Sequence, residues 1–590
     1  RGRGVEGGAA AQPFPLLVMP DRFQVAQLLR EIGLLLQVQG GNPFKARAYE
    51  RGARALEALN ADLGTVVAQG RLTALPGVGK ALAATIAEIH RTGRSEQLER
   101  LRRALPPGVL ELADVPHLTI PRITTLHAAL GISTLAQLKE AAEAGRLRAL
   151  KGFGPKTEER ILAGIRKAET QGEAVLLYKA AEEGERLLAH VRASPAVAKA
   201  ELAGALRRRV EVVDRLVLAV ATGDPAAAVA HVLRYPALVA TVEHSLTGCV
   251  ARLAGGLRVE AETAPPAGFA CLLHDLTGSE GHRQRLAARA RGLGLTLDRR
   301  CVMRGRRKLA VKTEADVYRH LGLPHIPPEQ REDVGEVEAA EEGTLPADLV
   351  EEGDIAGLVH CHTVYSDGAD TVEAMVRAAK AMGKRYITIT DHSPTAHYAG
   401  GLALDRLKRQ WEEIARVQEK VKGITILRGT ESDILQDGRL DYPDAVLAQL
   451  DVVIASIHNR HRMDADQMTR RLVAAMRNPF FKVWGHGLGR YVLSRPPIEC
   501  RVEEVLDAAA GSRVAVEVNG DPRRLDLEPR WQREARRRGL RFVISTDAHS
   551  TRALGNVRWG VAMARRGWVR KGEVLNTLPV EQFRRAVRPA

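Results

Sequence analysis

The sequence predicts a multidomain chain that starts helical, passes through a mixed α+β region and ends in a closed α/β barrel of seven strand–helix units. Three observations predict this. The chain has 590 residues, room for about three to six domains. Two Gly-x-Gly turns between helix-patterned stretches lie in its first third. Seven short apolar runs alternate with helical patterns from residue 353 onward. Hydrophobic residues at 45% and charged residues at 27% exclude a wholly disordered or collagen-like chain. No stretch approaches ~18 uninterrupted apolar residues, so no transmembrane helix is expected. Cys249, Cys271, Cys301, Cys361 and Cys500 form no CxxC pair. A disulfide framework or thiolate zinc ribbon is therefore not expected, and a reducing cytoplasm fits. The N-terminus lacks the basic, apolar and small-residue order of a signal peptide, and residues 1–18 read as a tail.

The net charge of +16 is uneven: +15 over 1–320, −7 over 321–350 and +8 over 351–590. The first block suits a polyanion, because clustered cations displace counterions from phosphates. Arg-rich codon usage alone would give a similar excess. The acidic block, 323–352, reads as an exposed linker.

Within 19–105, apolar residues recur every three or four positions through VAQLLREIGLLLQVQG and FKARAYERGARALEAL, with a stop at Gly40-Gly41-Asn42-Pro43. LPGVGKALAATIAEI (75–89) then reads as helix, tight turn, helix. Gly77 and Gly79 let the backbone turn and let a phosphate approach the amides that open the next helix, beside Lys80. This is the logic of a helix-hairpin-helix motif, which grips a DNA backbone without reading its sequence. Region 106–175 repeats it in LKGFGPKTEERILAGI (150–165), with Gly152, Gly154, Lys156 and Thr157. A degenerate third copy, 114–132, has His117 and Thr119 in place of glycines.

The barrel, 353–590, is built on AGLVHCH, YITITDH, ITILRGTESD, VVIASIH, FKVWGH, VAVEVNG and RFVISTDAH. Strand–helix alternation predicts parallel strands with right-handed crossovers, whose C-terminal ends meet on one face. Nine ligand-type residues lie at or just past those ends: His360, His362, Asp367, His392, Glu431, His458, His486, Asp547 and His549. Cys361 alternates away and reads as core. Mixed imidazole and carboxylate ligands suit Zn²⁺ or Mn²⁺ and not Ca²⁺. Closely spaced ions of this kind hydrolyse phosphoesters, with His360, His362, Glu431, His458 and Asp547 as the central group. Glu517, Asn519 and Asp433 read as supports for the ligands or as substrate contacts. Arg460, Arg462 and Arg490 read as holders of further phosphates or as ordinary surface residues.

The helix-hairpin-helix pair resembles that of the family X DNA polymerases, the group containing polymerase β. ELAGALRRRVEVVDRLVLAV (201–220) is similar to the family's Gly-Ser-x-Arg-Arg motif and the strand behind it. LRVEAETAPPAGFACLLHDLTGSEGHRQRLAARARGLGLTL is similar to the third catalytic strand and the Thr277-Gly278-Ser279 turn of the thumb. The resemblance implies a nucleotidyltransferase-like palm at 176–265 and a thumb at 266–322. It also implies three metal-binding Asp in the palm. Those positions hold Arg215, Val217 and Glu260, and the motif's Gly-Ser is Gly204-Ala205. Alternation puts Asp214 on the opposite side. A guanidinium there repels cations, so the polymerase site is expected to be degenerate and weak or inactive, and palm Mg²⁺ or Mn²⁺ is not expected to bind well. The family's lyase Lys corresponds to Thr85, so lyase activity is not expected.

The barrel resembles a PHP (polymerase and histidinol phosphatase) domain with its nine ligands present. The resemblance implies up to three divalent ions. His360, His362, Glu431 and Asp547 would hold one; Glu431, His458 and His486 a second; Asp367, His392 and His549 a third. It implies a cytoplasmic, nucleoid-associated DNA-repair enzyme working as a 3′-5′ exonuclease on gapped, nicked or 3′-ended duplex, with abasic-site cleavage and 3′-end processing, and a monomer. A gap-filling polymerase, a DNA-end scaffold and a small-molecule phosphatase are the alternatives.

Overall fold

The computed structural model describes residues 22–588 except 39–42, 58, 60–62, 76, 104–111, 113–114, 116–117, 119, 151, 171–173, 254–255 and 462. The 1–18 tail, His117, Thr119 and Arg462 lie outside the described residues. The chain divides into two compact units, Arg1–Thr170 and Gln171–Ala590.

The first unit is helical. Helices Arg22–Val38 and Pro43–Glu57 contribute Val25, Leu29, Ile32 and Leu56 to a shared core. Both Gly-x-Gly turns have one build. A 3-10 turn, Arg71–Ala74 or Leu147–Ala149, leads to a left-handed glycine, Gly77 at φ 79° or Gly152 at φ 90°. A buried apolar residue follows, whose N–H closes the turn: Val78 to Leu75 O at 3.1 Å, Phe153 to Leu150 O at 3.0 Å. The second glycine then opens helix Lys80–Thr92 or Pro155–Thr170. A Cβ on Gly79 or Gly154 would meet nothing within 4 Å. So Gly77 and Gly152 are required by backbone conformation, whereas Gly79 and Gly154 leave the approach to the first-turn amides open. At Gly79 no side chain caps those amides. Helix Ile120–Leu130 stands where the degenerate copy has its second helix. Thr85 is buried and donates its hydroxyl to Ala81 O at 3.3 Å.

In the second unit, a palm-like sheet contains β1 (Lys199–Ala203), β2 (Arg215–Ala221), β3 (Leu238–His244), β4 (Gly248–Leu253) and β5 (Arg258–Ala264), ordered β1-β2-β5-β4-β3. Parallel β2 and β5 set Val217 opposite Glu260. Arg215 spans two carboxylates, Glu260 Oε1 at 3.2 Å and Asp214 Oδ2 at 2.9 Å. Asp214 thus departs from its expected side. It precedes β2, outside the strand's alternation, and turns back to the guanidinium. The Arg pair behind Ala205 is committed to the thumb. Arg207 donates to Thr277 Oγ1 at 2.7 Å and Glu314 Oε1 at 2.9 Å, and Arg208 to Glu332 Oε1 at 2.9 Å. The thumb turn is as read: Ser279 Oγ accepts from His282 N–H at 3.2 Å and caps helix Glu280–Gly292.

The acidic segment is folded, which corrects its reading as an exposed linker. Ile326, Val337 and Ala340 join the thumb core, and Arg331 and Glu336 are fully buried. Its carboxylates meet distant guanidiniums: Glu329 accepts from Arg565 at 2.8 Å, Glu332 from Arg208, and Glu338 from Arg285 at 2.5 Å. A run of like charge looks solvated in one dimension because its counter-charges come from elsewhere in the chain.

Burial alone would raise the Glu314 carboxyl, but hydrogen bonds from Arg207 and the charge of Arg331 outweigh it and hold it at about 2. A carboxyl depressed by folding stabilises the fold above its unfolded value of 4.5. That contribution is lost as the pH falls toward the folded value. Urea resistance should therefore decline between pH 4.5 and about 2. Glu314→Gln should flatten that decline and cost about 3–5 kcal/mol at pH 7 by leaving buried Arg331 unpaired. An unchanged urea midpoint at pH 7 would refute the clamp.

The barrel strands are β6 (Gly357–Leu358), β7 (Tyr386–Ile389), β8 (Thr425–Asp433), β9 (Val452–Ser456), β10 (Val483–Trp484), β11 (Ala515–Asn519) and β12 (Phe542–Ser545). Each runs parallel to the next. The ring closes past the ends of β6 and β12, where His362 N–H donates to Ala548 O at 2.8 Å and Ala548 N–H to His360 O at 3.0 Å. Val359, Leu427, Ile454, Val483, Ala515 and Val543 share one buried core. Residues of the same parity further along, among them Glu431, His458, Glu517 and Asp547, form the polar C-terminal end.

Candidate metal centre

All nine predicted ligands converge at that end, drawn from each strand of the ring or the segment just after it, β11 excepted. Glu431 is the hub. Its Oε2 lies 3.3 Å from His360 Nε2, 3.6 Å from His362 Nε2 and 3.0 Å from His392 Nδ1. Its Oε1 lies 2.7 Å from His486 Nε2 and 3.1 Å from His458 Nε2. Asp547 Oδ1 lies 3.4 Å from His362 Nε2 and 3.7 Å from His360 Nε2. Asp367 lies 3.6 Å from His392 Nε2 and 3.3 Å from His549 Nε2. Three groups have ligand atoms close enough to share an ion: His360-His362-Asp547, His392-Glu431-His458 and His362-Asp367-His392-His549. The grouping differs from that implied by resemblance in three respects: Glu431 is not in the His360-His362-Asp547 group, His392 takes the place of His486 beside Glu431 and His458, and His362 joins Asp367, His392 and His549.

The donor set fits divalent metal. His360 Nε2, both nitrogens of His362, His392 Nδ1, Glu431 Oε2, His458 Nε2 and His486 Nδ1 are buried without a hydrogen-bond partner. So many orphaned lone pairs in one place are costly unless an ion satisfies them. Glu517 Oε1 contacts His360 Nδ1 at 2.6 Å, and Asp433 Oδ1 contacts His458 Nδ1. A carboxylate at Nδ1 fixes the tautomer with Nε2 free to ligate. Asn519 Nδ2 donates to Glu517 Oε2 at 3.1 Å and Asp547 Oδ2 at 3.2 Å. Glu517, Asn519 and Asp433 therefore support ligands from behind. Burial, then the charges of His549 and His392, push His362 down to about 3, which keeps it neutral. Burial would raise Glu431, but the surrounding imidazoles hold it well below the usual carboxylate range. Cys361 is fully buried, its thiol pushed up to about 12 mainly by burial, as expected for core.

Three ligands have left-handed backbone: His360 at φ 65°, His486 at φ 23° and Asp547 at φ 45°. Such conformations cost non-glycine residues about 1–3 kcal/mol and gather at functional sites. Here they turn side chains from the strand ends into the centre.

Arg490 does not face the site as a phosphate holder. It is buried and donates to Arg524 O at 3.0 Å, with Glu211 of the palm and Glu528 each at 3.3 Å. It joins palm to barrel. Arg460 has positive φ and is exposed. Arg524 is the cation the sequence reading missed. Its Nε lies 3.2 Å from Asp547 Oδ2, yet Nε and Nη1 make no hydrogen bond. Its only sequence signal was a place five residues past Asn519. Asp391 was also missed. It accepts from Thr363 N–H at 2.7 Å and Gln410 Nε2 at 2.5 Å, and so pins the loop that carries Asp367.

Four family descriptions match the chain: a helix-hairpin-helix domain at 20–95, a SAM-like helix-hairpin-helix tandem at 109–167, a DNA polymerase beta thumb at 272–332 and a PHP domain at 359–520. The DNA polymerase/3′-5′ exonuclease PolX of Bacillus subtilis is 34% identical over 561 residues, covering 94% of this chain and 96% of that protein. A probable phosphatase of Caldanaerobacter subterraneus is 30% identical over 207 residues, 32% of this chain and 74% of its own length. A probable phosphatase of Thermoanaerobacter sp. is 28% identical over 235 residues, 37% of this chain and 89% of its own. Hairpins, thumb and barrel follow one another here in a chain that this relative matches almost end to end, and the chain belongs to the family X DNA polymerases that carry a C-terminal PHP domain.

Proposed function

We propose that this protein is a metal-dependent DNA phosphodiesterase that removes nucleotides from 3′ ends at gaps and breaks, held on DNA by its helix-hairpin-helix motifs, with a palm that no longer polymerises. The observation that carries the reading is the contrast between two sites. The barrel gathers nine ligand-type residues, six of them with orphaned buried atoms, whereas the palm fills its metal position with Arg215 tied to Asp214 and Glu260.

The ligands would hold Zn²⁺ or Mn²⁺, which when bound polarise phosphoryl oxygens and acidify water. Glu517 and Asp433 hold the His360 and His458 rings in the ligating tautomer. Arg524, with two unbonded nitrogens beside Asp547, offers hydrogen bonds to a phosphoryl oxygen as its charge grows. The resemblance to probable phosphatases, over about a third of this chain, extends the reading to 3′-phosphate removal. The test is a 5′-labelled gapped duplex with Mn²⁺. A ladder shortening from the 3′ end, abolished by chelator, is expected; an intact strand with both Mn²⁺ and Zn²⁺ would overturn the proposal.

Gly79→Ala with Gly154→Ala should separate grip from chemistry. Neither methyl meets a neighbouring atom, so thermal stability should hold. Each would crowd an incoming phosphate and weaken an amide–phosphate bond of about 1.5–3 kcal/mol, roughly 10–100-fold in Kd. Fluorescence anisotropy on gapped DNA should show that loss and a shallower salt dependence. Unchanged affinity would remove the hairpins from the DNA contact.

A further inference from the structure

We propose that Tyr398 is the stacking platform for the nucleobase of the 3′-terminal nucleotide, an inference that rests on the phosphodiesterase reading above. Among the residues whose burial is described, Tyr398 is the only Phe, Tyr or Trp that is exposed, at 71%. It is also the aromatic ring beside the centre, 6.1 Å from the ring of His392 and 6.1 Å from that of His458. These two ligands share Glu431.

The ring is exposed, but its backbone is fixed. Tyr398 lies in the 3-10 turn His397–Ala399. Ala399 N–H donates to Ala396 O at 2.9 Å, Gly401 N–H to Ala396 O at 3.1 Å and Leu402 N–H to His392 O at 2.8 Å. Gly401 is packed so closely that a Cβ would collide with Ser393 O. The turn is thus bonded to the ligand His392 itself. Apolar surface held rigidly in water at the lip of a phosphoester centre has no folding role to explain it. A phosphate engaged between His392 and His458 places the attached base, one sugar away, within reach of that ring. Stacking needs only a π face, so the contact suits every base and gives no sequence preference. The cationic side of the mouth is separate: Arg524 lies over the Tyr491 ring at 4.4 Å, with Arg495 over the same ring at 4.3 Å. Base and phosphate are therefore recognised by different side chains.

The experiment uses the full chain with Mn²⁺ and 5′-labelled strands whose terminal 3′ nucleotide is either normal or a stable abasic analogue. The unsubstituted protein should show a KM for the normal end about 10–100-fold below that for the abasic end, the worth of one stacked base. Tyr398→Ala should collapse that ratio toward one, and Tyr398→Phe should keep it. A purely structural role would slow both substrates alike and preserve the ratio, and that result would overturn the inference. So would a ratio unaffected by Tyr398→Ala. A terminal 2-aminopurine supplies a readout without turnover. Its fluorescence should be quenched on binding in chelator by the unsubstituted chain and not by Tyr398→Ala. Equal quenching in both would overturn the platform, whereas hydrolysis of neither substrate would overturn the underlying phosphodiesterase reading instead.

Discussion

Asp547→Ala should lower phosphodiester hydrolysis by on the order of 10³-fold or more while leaving affinity for gapped DNA within a few-fold. Asp547 lies near both His360 and His362 through one oxygen and meets Arg524 and Asn519 through the other. Its loss removes a ligand from the centre and the anchor that aims Arg524. Charge stabilisation by bound metal is worth several kcal/mol, and each ~1.4 kcal/mol is a factor of ten in rate. Affinity should survive because the hairpins lie over 75–165 and share no residue with the barrel. His458→Ala should behave the same way. Asp433→Asn makes a graded control. It reaches the ligands through His458 Nδ1, its other oxygen accepting from Thr395 Oγ1 at 2.8 Å, and losses from such supporting partners run about 10–100-fold. Gel assays of strand shortening give the rates, elemental analysis the metal content and anisotropy the affinity. Full hydrolysis by Asp547→Ala would locate the activity outside this centre.

What the sequence disclosed follows its periodicities. Alternation along the barrel strands carries an apolar floor and a polar rim on one face, so the strand-end ligands could be read from spacing. Gly-x-Gly before a helix marked both hairpins for the same reason. The residues that escaped are those whose meaning depends on distant partners. The acidic run of 323–352 looked like solvated linker, and its carboxylates in fact meet Arg208, Arg285 and Arg565 from far along the chain. Arg490 read as a phosphate holder or a surface residue because it follows a ligand-bearing strand, but it is buried and Glu211 of the palm claims it. Arg524 lay hidden in an Arg-rich sequence until its unbonded nitrogens could be seen beside Asp547. The left-handed backbone at His360, His486 and Asp547 has no sequence signature, since such conformations at non-glycine residues are imposed by the surrounding fold.

A primer on a gapped template, given Mn²⁺ and all four dNTPs, should only shorten. Nucleotidyl transfer needs carboxylates that hold two cations around the incoming triphosphate. Here Arg215 brings a positive charge to that place, and its hydrogen bonds occupy Asp214 and Glu260. Two charges at about 4 Å interact by about 4 kcal/mol at the dielectric of a protein surface, enough to disfavour a divalent ion strongly. Val217, the partner position on β2, is a buried hydrocarbon facing Glu260. The Arg pair of the motif is equally unavailable, since Arg207 and Arg208 hold the thumb through Glu314, Thr277 and Glu332. On the proposed reading, each change alone would weaken the palm, and together they would turn a catalytic surface into a joint. Substituting Asp547 separates the two activities in one gel: with the nuclease disabled, a living palm would lengthen the primer and an inert one would leave it untouched. Lengthened bands in that variant would show that Arg215 and Val217 do not disable the palm, and gap filling would then stand as a primary activity.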